Sequence, residues 1–420
     1  MKFTRVFAFM ALAGLAGSAF ATDGYFSHGY GMKAKGMGGA ATAMSDDAMG
    51  GANNPASMAF VGNRLDLGVD LFSPRREASR TGSTTSGLNG TSDSDSKYFL
   101  IPEFGYNYMV NNDLALGVTA YGNGGMNTNY KALGGVFGNT NLLGGSGKLG
   151  VNLMQLIIAP TAAYKIAPNH SIGISPLIGY QQFKAYGLQA FAAPVGSPQQ
   201  ASSDPANVTN RGNDDSWGYG VRIGYLGKLT QTFSIGAAYA SKMNFDNFSK
   251  YRGLFAEQGG FDIPENYNLG VAWQATPEFL VALDYQRINY SGVKSIANPS
   301  TNQALLGTNN GPGFGWQDVD VWKLGVEYKY SQQLTLRAGY NHTDNPIQSR
   351  DVLFNILAPG VVKDHATLGL TYTLPSGNEL TMAYMHAFKN DVTGADASFG
   401  GTDKIQMYQD SLGVAYSWKM

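Results

Sequence analysis

A short theme recurs along this 420-residue chain and limits what it can fold into. An apolar residue is followed by glycine and then by a second apolar or small residue, and most copies carry an aromatic residue two positions further on. Apolar positions therefore alternate with glycine or polar ones, which is the period of a β-strand with one apolar face. Copies of the theme occupy residues 67–69, 116–118, 235–239, 269–273, 324–328, 368–372 and 412–416.

The N-terminus has the features of an export signal. Two basic residues precede a short apolar stretch, and an Ala-x-Ala cleavage pattern ends at Ala21. The apolar stretch is shorter than the roughly 20 residues that a membrane-spanning helix requires. We therefore expect a signal peptide over residues 1–21 and a mature chain that begins at Thr22.

Beyond this signal the sequence has no apolar run of spanning length, so any membrane span must consist of strands. The alternation alone fits a soluble sandwich, whose apolar face points inward, and a membrane barrel, whose apolar face points out to lipid. The export signal, unequal connections and aromatic residues near the ends of the apolar faces favour the barrel. Those aromatic residues are Trp217, Tyr225, Trp273, Trp322, Tyr328, Tyr340, Tyr416 and Trp418.

The connections between predicted strands fall into two sets. Short polar turns alternate with long stretches rich in Gly, Asn and Ser, as in bacterial outer-membrane barrels with short periplasmic turns and long outer loops. The strand count is fourteen, from near Arg64 to a C-terminus that has Met420 where many such barrels have an aromatic residue. We predict an all-β fold, a transmembrane antiparallel β-barrel of about fourteen strands in the outer membrane of a Gram-negative cell. The turns lie at 111–113, 167–170, 229–232, 275–277, 331–333 and 375–378, and the long stretches at 73–97, 122–152, 185–214, 248–264, 291–317, 344–364 and 391–404.

About forty residues precede the first predicted strand, and we call residues 22–63 the hatch segment. It is rich in Gly and Ala with scattered Met, and its run over residues 38–44 is too apolar for a bare tail. The segment is either a disordered periplasmic leader or a plug folded into the lumen, which a barrel of this strand number can hold. We expect the plug, with the barrel itself formed by residues 64–420.

A series of motifs runs from the hatch segment to the later loops. They are GMGGA (36–40), DDA (46–48), NNPA (53–56), LMQ (153–155), IAP (158–160), YRGLF (251–255), FDIP (261–264), GPGFGW (311–316) and FNILAPG (354–360). In this order and spacing they resemble the FadL/TodX family of outer-membrane channels for hydrophobic compounds, and the resemblance extends to the last strand.

The resemblance implies a monomeric barrel of fourteen strands with an N-terminal hatch that contains Asn54, Pro55 and Ala56. Members of the family take up long-chain fatty acids or, in some branches, aromatic hydrocarbons. Capture in an apolar groove among the outer loops, a pocket against the hatch and sideways release at a kinked strand are the implied steps. We expect passive transport of hydrophobic small molecules, with fatty acids as the first candidate and aromatic hydrocarbons as the second.

Apolar residues in otherwise polar outer loops are the candidate ligand contacts, because an exposed apolar patch usually marks a binding site. The alternative is that these residues only pack the loops over the barrel mouth. For the group as a whole we favour a ligand groove. The candidates are Leu133, Phe137, Leu142 and Leu143 in one loop, Leu188 and Phe191 in the next, and Phe26 in the hatch segment.

The alternation also predicts which charged residues face the lumen. If Trp322 and Leu324 face lipid, then Lys323 faces inward, and the same reasoning turns Arg222 inward. A basic group in an apolar pocket can bind the carboxylate of a fatty acid. The alternative is an internal ion pair that fastens the barrel to its plug, and both interpretations stay open. Other residues predicted to face inward are Asp284, Glu327 and Arg337.

The kink should lie where a strand is interrupted, since Pro and Gly weaken ladder pairing. Pro102 in the second strand, Pro160 in the fourth, and Gly122, Gly124 and Gly125 at the top of the third are the candidates. The resemblance favours the third strand.

Composition and residue pattern argue against other functions. The net charge of -1, with 14% charged residues, provides no basic surface for nucleic acid. The five histidines lack metal-ligand spacing and no Gly-x-Ser-x-Gly sequence occurs, so we predict no metal, no cofactor and no enzymatic activity. A hydrophilic porin and an outer-membrane lipid hydrolase remain as alternatives. The expected partners are a hydrophobic ligand, outer-membrane lipid and lipopolysaccharide.

Overall fold

The computed structural model describes residues 22–85, 87–134 and 139–420. The predicted signal peptide and the candidate ligand contact Phe137 lie outside these residues. Fourteen long antiparallel strands form a closed barrel, which confirms the predicted fold class. The strands are β1 Arg64–Thr81, β2 Phe99–Met109, β3 Leu114–Asn127, β4 Gly150–Ala167, β5 His170–Tyr186, β6 Asp214–Lys228, β7 Phe233–Ala240, β8 Asn266–Gln274, β9 Phe279–Ile288, β10 Val319–Lys329, β11 Leu334–Thr343, β12 Asp364–Thr373, β13 Glu379–Ala395 and β14 Thr402–Lys419.

The first and last strands close the barrel. They pair antiparallel along their full length, from Arg64 opposite Lys419 to Thr81 opposite Thr402. Both ends of the barrel region therefore lie at one rim, where short turns join the strands, and the long connections lie at the other rim. A closed ladder satisfies the backbone groups that an open sheet edge would expose.

The long connections contain short elements of their own. Strands Gly90–Asp93 and Asn244–Phe245 pair with β1 and β6. Within the described residues, no helix is long and apolar enough to cross a membrane. The loop helices are Ala256–Gly259, Lys294–Ala297 and Val352–Asn355, with 3-10 turns at Gln189–Phe191, Pro205–Asn207, Ser249–Tyr251, Tyr290–Gly292 and Ser349–Asp351, and the hatch segment contains the helices Met32–Lys35 and Pro55–Phe60.

The alternation in sequence becomes an outward and an inward face of the barrel wall. On β10, Trp322 and Leu324 expose 51% and 45% of their surfaces, whereas Lys323 and Glu327 on the opposite face are buried. Large apolar residues are exposed in the same way on the other strands. A soluble sandwich would bury its apolar face, so this exposure decides in favour of a membrane barrel.

Two of the expected long loops are shorter in the structure. The expectation of a loop from Ser73 is wrong because β1 continues to Thr81. Only residues 396–401 connect β13 and β14, where a connection over 391–404 was expected. These strands continue beyond the apolar band, where both faces meet polar surroundings, so pairing persists without the period-2 apolar signal.

The third strand is irregular. Its pairing with β2 ends at Phe104 opposite Ala120. Its pairing with β4 continues further, with a register shift between Gly122 and Gly124. Since β3 loses one neighbour and changes register at the same level, the interruption lies at the glycine cluster that the resemblance favours.

The interval where β2 and β3 are not paired is called the wall gap here. It runs along residues 121–127 of β3, and a bridge between Ser94 and Tyr130 joins the two sides again nearer the loops. The two proline candidates also lie beside interrupted pairing. Pro102 stays in register with β1 but belongs to the part of β2 that is not paired with β3, so it lies on the β2 side of the wall gap. Pro160 stays in register with β3, whereas the pairing of β4 with β5 is interrupted between Ile158 and Ala162.

Candidate functional site

The glycines of the recurring theme face the lumen and contact the hatch segment. A methyl group added at any of the seven would lie within 4 Å of a hatch atom. At Gly325 it would lie 2.6 Å from Cβ and 2.7 Å from the main-chain oxygen of Met37. Glycine is therefore required at Gly236, Gly325 and Gly369, where the added methyl group would meet hatch backbone atoms at less than 3.0 Å, whereas at Gly68 the nearest hatch atom is at an ordinary 3.5 Å. The contacts are Gly68 and Gly413 with Met32, Gly117 with Met58, Gly236 and Gly270 with Thr42, Gly325 with Met37, and Gly369 with Gly36.

A carboxylate on the wall holds the middle of the hatch segment. Oδ2 of Asp284, on β9, accepts hydrogen bonds from the main-chain N–H groups of Ala41 and Thr42 at 2.8 Å each. The hydroxyl of Thr42 donates to the same oxygen at 2.7 Å. One side-chain oxygen therefore holds two consecutive residues of the hatch segment against the wall.

The motif Asn54-Pro55-Ala56 lies where the hatch segment meets β6. Nδ2 of Asn54 donates to the carbonyls of Thr42 and Tyr225 at 2.8 Å each. Its Oδ1 accepts from the N–H of Ala56 at 3.1 Å and caps the helix Pro55–Phe60. One side chain therefore links two parts of the hatch segment to the wall.

Arg222 also contacts the hatch segment. Its guanidinium donates to the carbonyl oxygens of Gly51, at 2.8 Å, and Ala52. The hydroxyl of Tyr121, beside the wall gap, lies 3.2 Å from the same nitrogen. Arg222 thus connects the hatch segment to the kinked strand.

Buried ion pairs add further attachments at the helix Met32–Lys35. Lys33 pairs with Glu379 at 2.7 Å. Lys35 pairs with Asp70 at 2.9 Å and with Glu103 at 2.6 Å. A buried charge that loses its partner is strongly destabilising, so these pairs oppose withdrawal of the hatch segment.

Lys323 lies in a second group of polar residues around the start of the hatch segment. Its Nζ is 4.0 Å from Oδ2 of Asp23, to which Asn341 donates at 3.5 Å. Burial raises the pKa of the Asp23 carboxyl to about 6, against the opposing effect of the Lys323 ammonium. The buried rings of His28 and His365 stack nearby, with centroids 6.1 Å apart. Within the described ranges, no group of three or more His, Asp or Glu side chains is suited to hold a metal ion.

Towards the long-loop rim, the loops surround a small apolar cavity of about 40 Å³. Its described lining includes one polar side chain, Ser295, and no charged residue. Small-molecule sites are mostly apolar. A volume of this size holds a few water molecules, so the lining has to move apart to admit a larger ligand. The lining consists of Leu143, Val151, Phe183, Leu188, Phe191, Leu254, Phe255, Ser295, Leu306, Pro312, Gly313, Phe314, Phe354 and Leu357.

A series of aromatic rings, called the aromatic path here, leads from this cavity to the hatch segment. The ring of Phe255 in the cavity lies 4.9 Å from that of Phe261, which lies 6.4 Å from that of Tyr25. Tyr290 is 5.5 Å from Tyr25 and 6.0 Å from Phe26. The path therefore joins loop residues to the first residues of the hatch segment through apolar contacts.

The same hatch residues pair with the kinked strand. Phe26 forms an antiparallel bridge with Gly124. The N–H of Ser27 donates to the carbonyl of Asn123 at 3.3 Å. The aromatic path thus ends beside the wall gap.

The sequence-predicted contacts divide among these places. Leu143, Leu188 and Phe191 line the cavity. Leu142 is fully buried in the apolar cluster around the cavity, and Leu133 packs against that cluster. Phe26 belongs to the aromatic path, and Arg222 and Lys323 lie deeper in the lumen against the hatch segment.

Several cavity residues were not among the predicted contacts. Phe255, Phe314 and Phe354 come from three later loops, and Phe183 comes from the end of β5. A signal for the first three was present in the sequence, because they lie in the motifs YRGLF, GPGFGW and FNILAPG. Proximity between those loops could not be read from the chain alone.

Known proteins are similar to this chain in sequence. A family model described as "Outer membrane protein transport protein (OMPP1/FadL/TodX)" matches residues 9–419. The 47 kDa outer membrane protein of Pasteurella multocida (strain Pm70) is 22% identical, covering 99% of this chain and 98% of that protein.

Solved structures are similar in fold. The toluene transporter TodX of Pseudomonas putida has a TM-score of 0.68 at 20% identity, covering 96% of this chain and 100% of that one. A Pseudomonas aeruginosa FadL homologue has a TM-score of 0.68 at 15% identity, covering 94% and 99%. The toluene transporter TbuX of Ralstonia pickettii has a TM-score of 0.65 at 18% identity, covering 94% and 99%.

Proposed function

Because this chain belongs to the OMPP1/FadL/TodX family of outer membrane transport proteins, we propose a route for hydrophobic compounds through its barrel. The chain transports such compounds rather than catalysing a reaction. A ligand enters the apolar loop cavity, moves along the aromatic path to the hatch segment, and leaves sideways through the wall gap. The observation that carries this proposal is the continuity of the three features. Phe255 belongs to both the cavity and the path, and Phe26 belongs to the path and pairs with Gly124 at the gap.

Capture in the cavity needs no energy source. Apolar ligands gain about 25 cal/mol for each Å² of apolar surface that leaves water. The described lining carries no charge that would have to be desolvated. Binding is therefore driven by burial, and the direction of net transport follows the concentration gradient.

Sideways release requires that the hatch segment move at its first residues. Tyr25 and Phe26 are buried beside the wall gap and would have to yield before a ligand could pass. Asp284, Asn54 and Arg222 hold later parts of the hatch segment. We expect local movement of residues 23–28, with the rest of the plug retained.

Long-chain fatty acids are the first candidate substrate. An acyl chain suits the uncharged cavity, and its carboxylate has a partner in Lys323 further along the route. Asp23 is 4.0 Å from Lys323, beyond hydrogen-bond distance, and its raised pKa of about 6 lowers the cost of neutralising it. A fatty-acid carboxylate can therefore compete for this cation.

Aromatic hydrocarbons are the second candidate. The rings of Phe183, Phe191, Phe255, Phe314 and Phe354 surround a cavity without a charged residue in its described lining. Aromatic ligands gain edge-to-face contacts of about 0.5–1.5 kcal/mol with such rings beyond simple burial. An uncharged ring also needs no partner for a carboxylate.

Uptake by a strain that lacks the gene tests both candidates. We expect the wild-type gene to restore uptake of labelled oleate, of toluene, or of both, and Phe314→Asp to abolish it because a charge enters the cavity. The matched control is Val195→Asp, since Val195 is 70% exposed and does not line the cavity. If the wild-type gene restores neither uptake, or if Phe314→Asp transports like Val195→Asp, the route is refuted.

Lys323→Met distinguishes the substrates. It should reduce oleate uptake and leave toluene uptake unchanged if Lys323 receives a carboxylate. Equal loss for both ligands would assign Lys323 a structural role. Single-channel conductance addresses the porin alternative, because a large steady pore would contradict a plugged lumen.

A further inference from the structure

The outward face of β14 changes character towards the long loops. Leu412 and Trp418 are exposed and apolar, whereas Lys404 and Gln406 on the same face are polar. Tyr408 lies ten positions before Trp418 on this strand. In a strand tilted by about 40°, the distance between these two residues along the membrane normal is roughly 26 Å, close to the ~25 Å height of the apolar band of such barrels. Tyr408 therefore stands at the level of the outer-leaflet head groups.

A polar cavity of about 320 Å³ lies at this level on the outside of the wall. Four basic and two acidic residues line it. Arg76 is buried on the inward face of β1, so the accessible lining has three basic and two acidic side chains, a formal charge of +1. Among the described residues, none of these six has an ion-pair partner within 4.0 Å. They are Arg75, Arg76, Lys97 and Lys389, with Glu77 and Asp93.

A bulge in β13 presents one of the bases. The register between β13 and β14 shifts between Ala387 and Asn390, so that one extra residue enters β13. Both Phe388 and Lys389 are exposed at this point. Bulges commonly re-aim a side chain, and this one turns Lys389 to the outside.

Arg75 is held from the other side of the cavity. It donates to the hydroxyl of Tyr98 at 2.7 Å, and its guanidinium lies 4.9 Å from the centre of that ring. Arg76 is buried at an inward position of β1, where Nη1 donates to the carbonyl of Ser96 at 3.2 Å. Its guanidinium therefore supplies no donor to the outer cavity.

A carboxylate on β14, Asp410, is already engaged. Oδ1 of Asp410 accepts from the hydroxyl of Tyr384 at 2.7 Å and lies 2.8 Å from Nδ1 of His386. These contacts reduce its repulsion of an anion bound above it. The same arrangement occurs with Tyr340, His342 and Asp364 one hairpin away.

We propose that this cavity binds a phosphate group of the lipopolysaccharide in the outer leaflet. A phosphate monoester carries about -1.5 to -2 charges at neutral pH, and the accessible bases Arg75, Lys97 and Lys389 outnumber the acidic residues of the lining. Arginine and lysine are the side chains that recognise such groups. Leu71 and Leu100 are exposed just below, where they contact acyl chains, and this favours a lipid over free phosphate. The bound lipid fixes the height of the barrel in the membrane.

Native mass spectrometry of the full-length protein in detergent tests the site. The probes are bisphosphorylated lipid A, the same lipid with both phosphates removed, and inorganic phosphate alone. We expect lipid A to bind and the triple variant R75A/K97A/K389A to bind it at least about tenfold more weakly, since three charge-assisted contacts are lost. The control K148A/R211A/K329A removes three exposed positive charges elsewhere and should bind like the wild type.

The outcomes separate the explanations. Equal binding of lipid A and its dephosphorylated form, or equal loss in both triple variants, would overturn the proposal. Inorganic phosphate that binds as tightly as lipid A would overturn the lipid assignment. Heat-dependent mobility in gels establishes that each variant forms a barrel. If the triple variant does not fold, K389A replaces it, because Lys389 is exposed and has no ion-pair partner among the described residues.

Discussion

Gly325→Ala tests whether the glycines of the recurring theme are needed to leave space for the hatch segment in the lumen. The new methyl group would lie 2.6 Å from Cβ and 2.7 Å from the main-chain oxygen of Met37, where ordinary contacts need 3.4 Å or more. Both atoms are close to or part of the hatch backbone, so they cannot swing aside. Overpacking of this kind costs about 1–3 kcal/mol.

The sign of the effect makes this substitution informative. Alanine in a strand is normally more favourable than glycine by about 0.5–1 kcal/mol, so the barrel wall alone would be stabilised. That gain is the same whether the hatch segment is docked or not, so docking loses the full overpacking cost of about 1–3 kcal/mol, or about 5–150-fold in the docked-to-undocked ratio. We expect more frequent channel openings in planar bilayers and faster amide exchange over residues 36–39.

Gly292→Ala is the matched control, because its added methyl group would have no atom within 4 Å. It should leave conductance and exchange as in the wild type. If Gly325→Ala shows the same conductance and the same exchange as Gly292→Ala, the glycines are not placed for the hatch segment. Heat-dependent gel mobility of both variants checks that the barrel still forms.

Three further substitutions probe the hatch attachments. Asp284→Ala removes the acceptor of three largely buried hydrogen bonds and leaves their donors without a partner, at about 1–3 kcal/mol each, so it should increase channel openings more than Gly325→Ala does. Unchanged conductance would refute this. Asn54→Ala should alter ligand uptake and speed exchange at Ala56, and unaltered uptake would show that this contact does not gate the route. The pKa of Asp23 is raised from 3.8 to about 6, so docking of residues 23–27 should be strongest below about pH 4 and weaken as the pH rises through 6. Amide protection factors measure this, and Asp23→Asn should remove the pH dependence.

Much of the fold could be predicted from the sequence because the wall obeys a local rule. The alternation at residues 324–328 predicts which side chains face lipid. Short polar turns in the sequence predict where one strand ends and the next begins. The rule fails where the lipid ends. Residues 73–81 of β1 continue the ladder without the apolar alternation, because their outward face has left the apolar band.

The candidate site could be predicted only in part. Leu143, Leu188 and Phe191 stood out as apolar residues in polar loops, and they line the cavity. Phe255 and Phe314 belong to loops far away in sequence, and only the closed barrel brings those loops over one opening. Contacts between loops depend on how the strands are arranged around the ring, which no local pattern encodes.

The recurring theme, in which glycine lies between two apolar residues, determined by itself that the chain forms strands with one apolar face. It did not determine why glycine occupies the opposite face. Only the tertiary structure decided that. Gly325 faces Met37 and Gly369 faces Gly36, and the members of each pair are nearly 300 residues or more apart in sequence. A strand tolerates many residues at an inward position, but a lumen filled by its own N-terminus leaves no space there for a side chain.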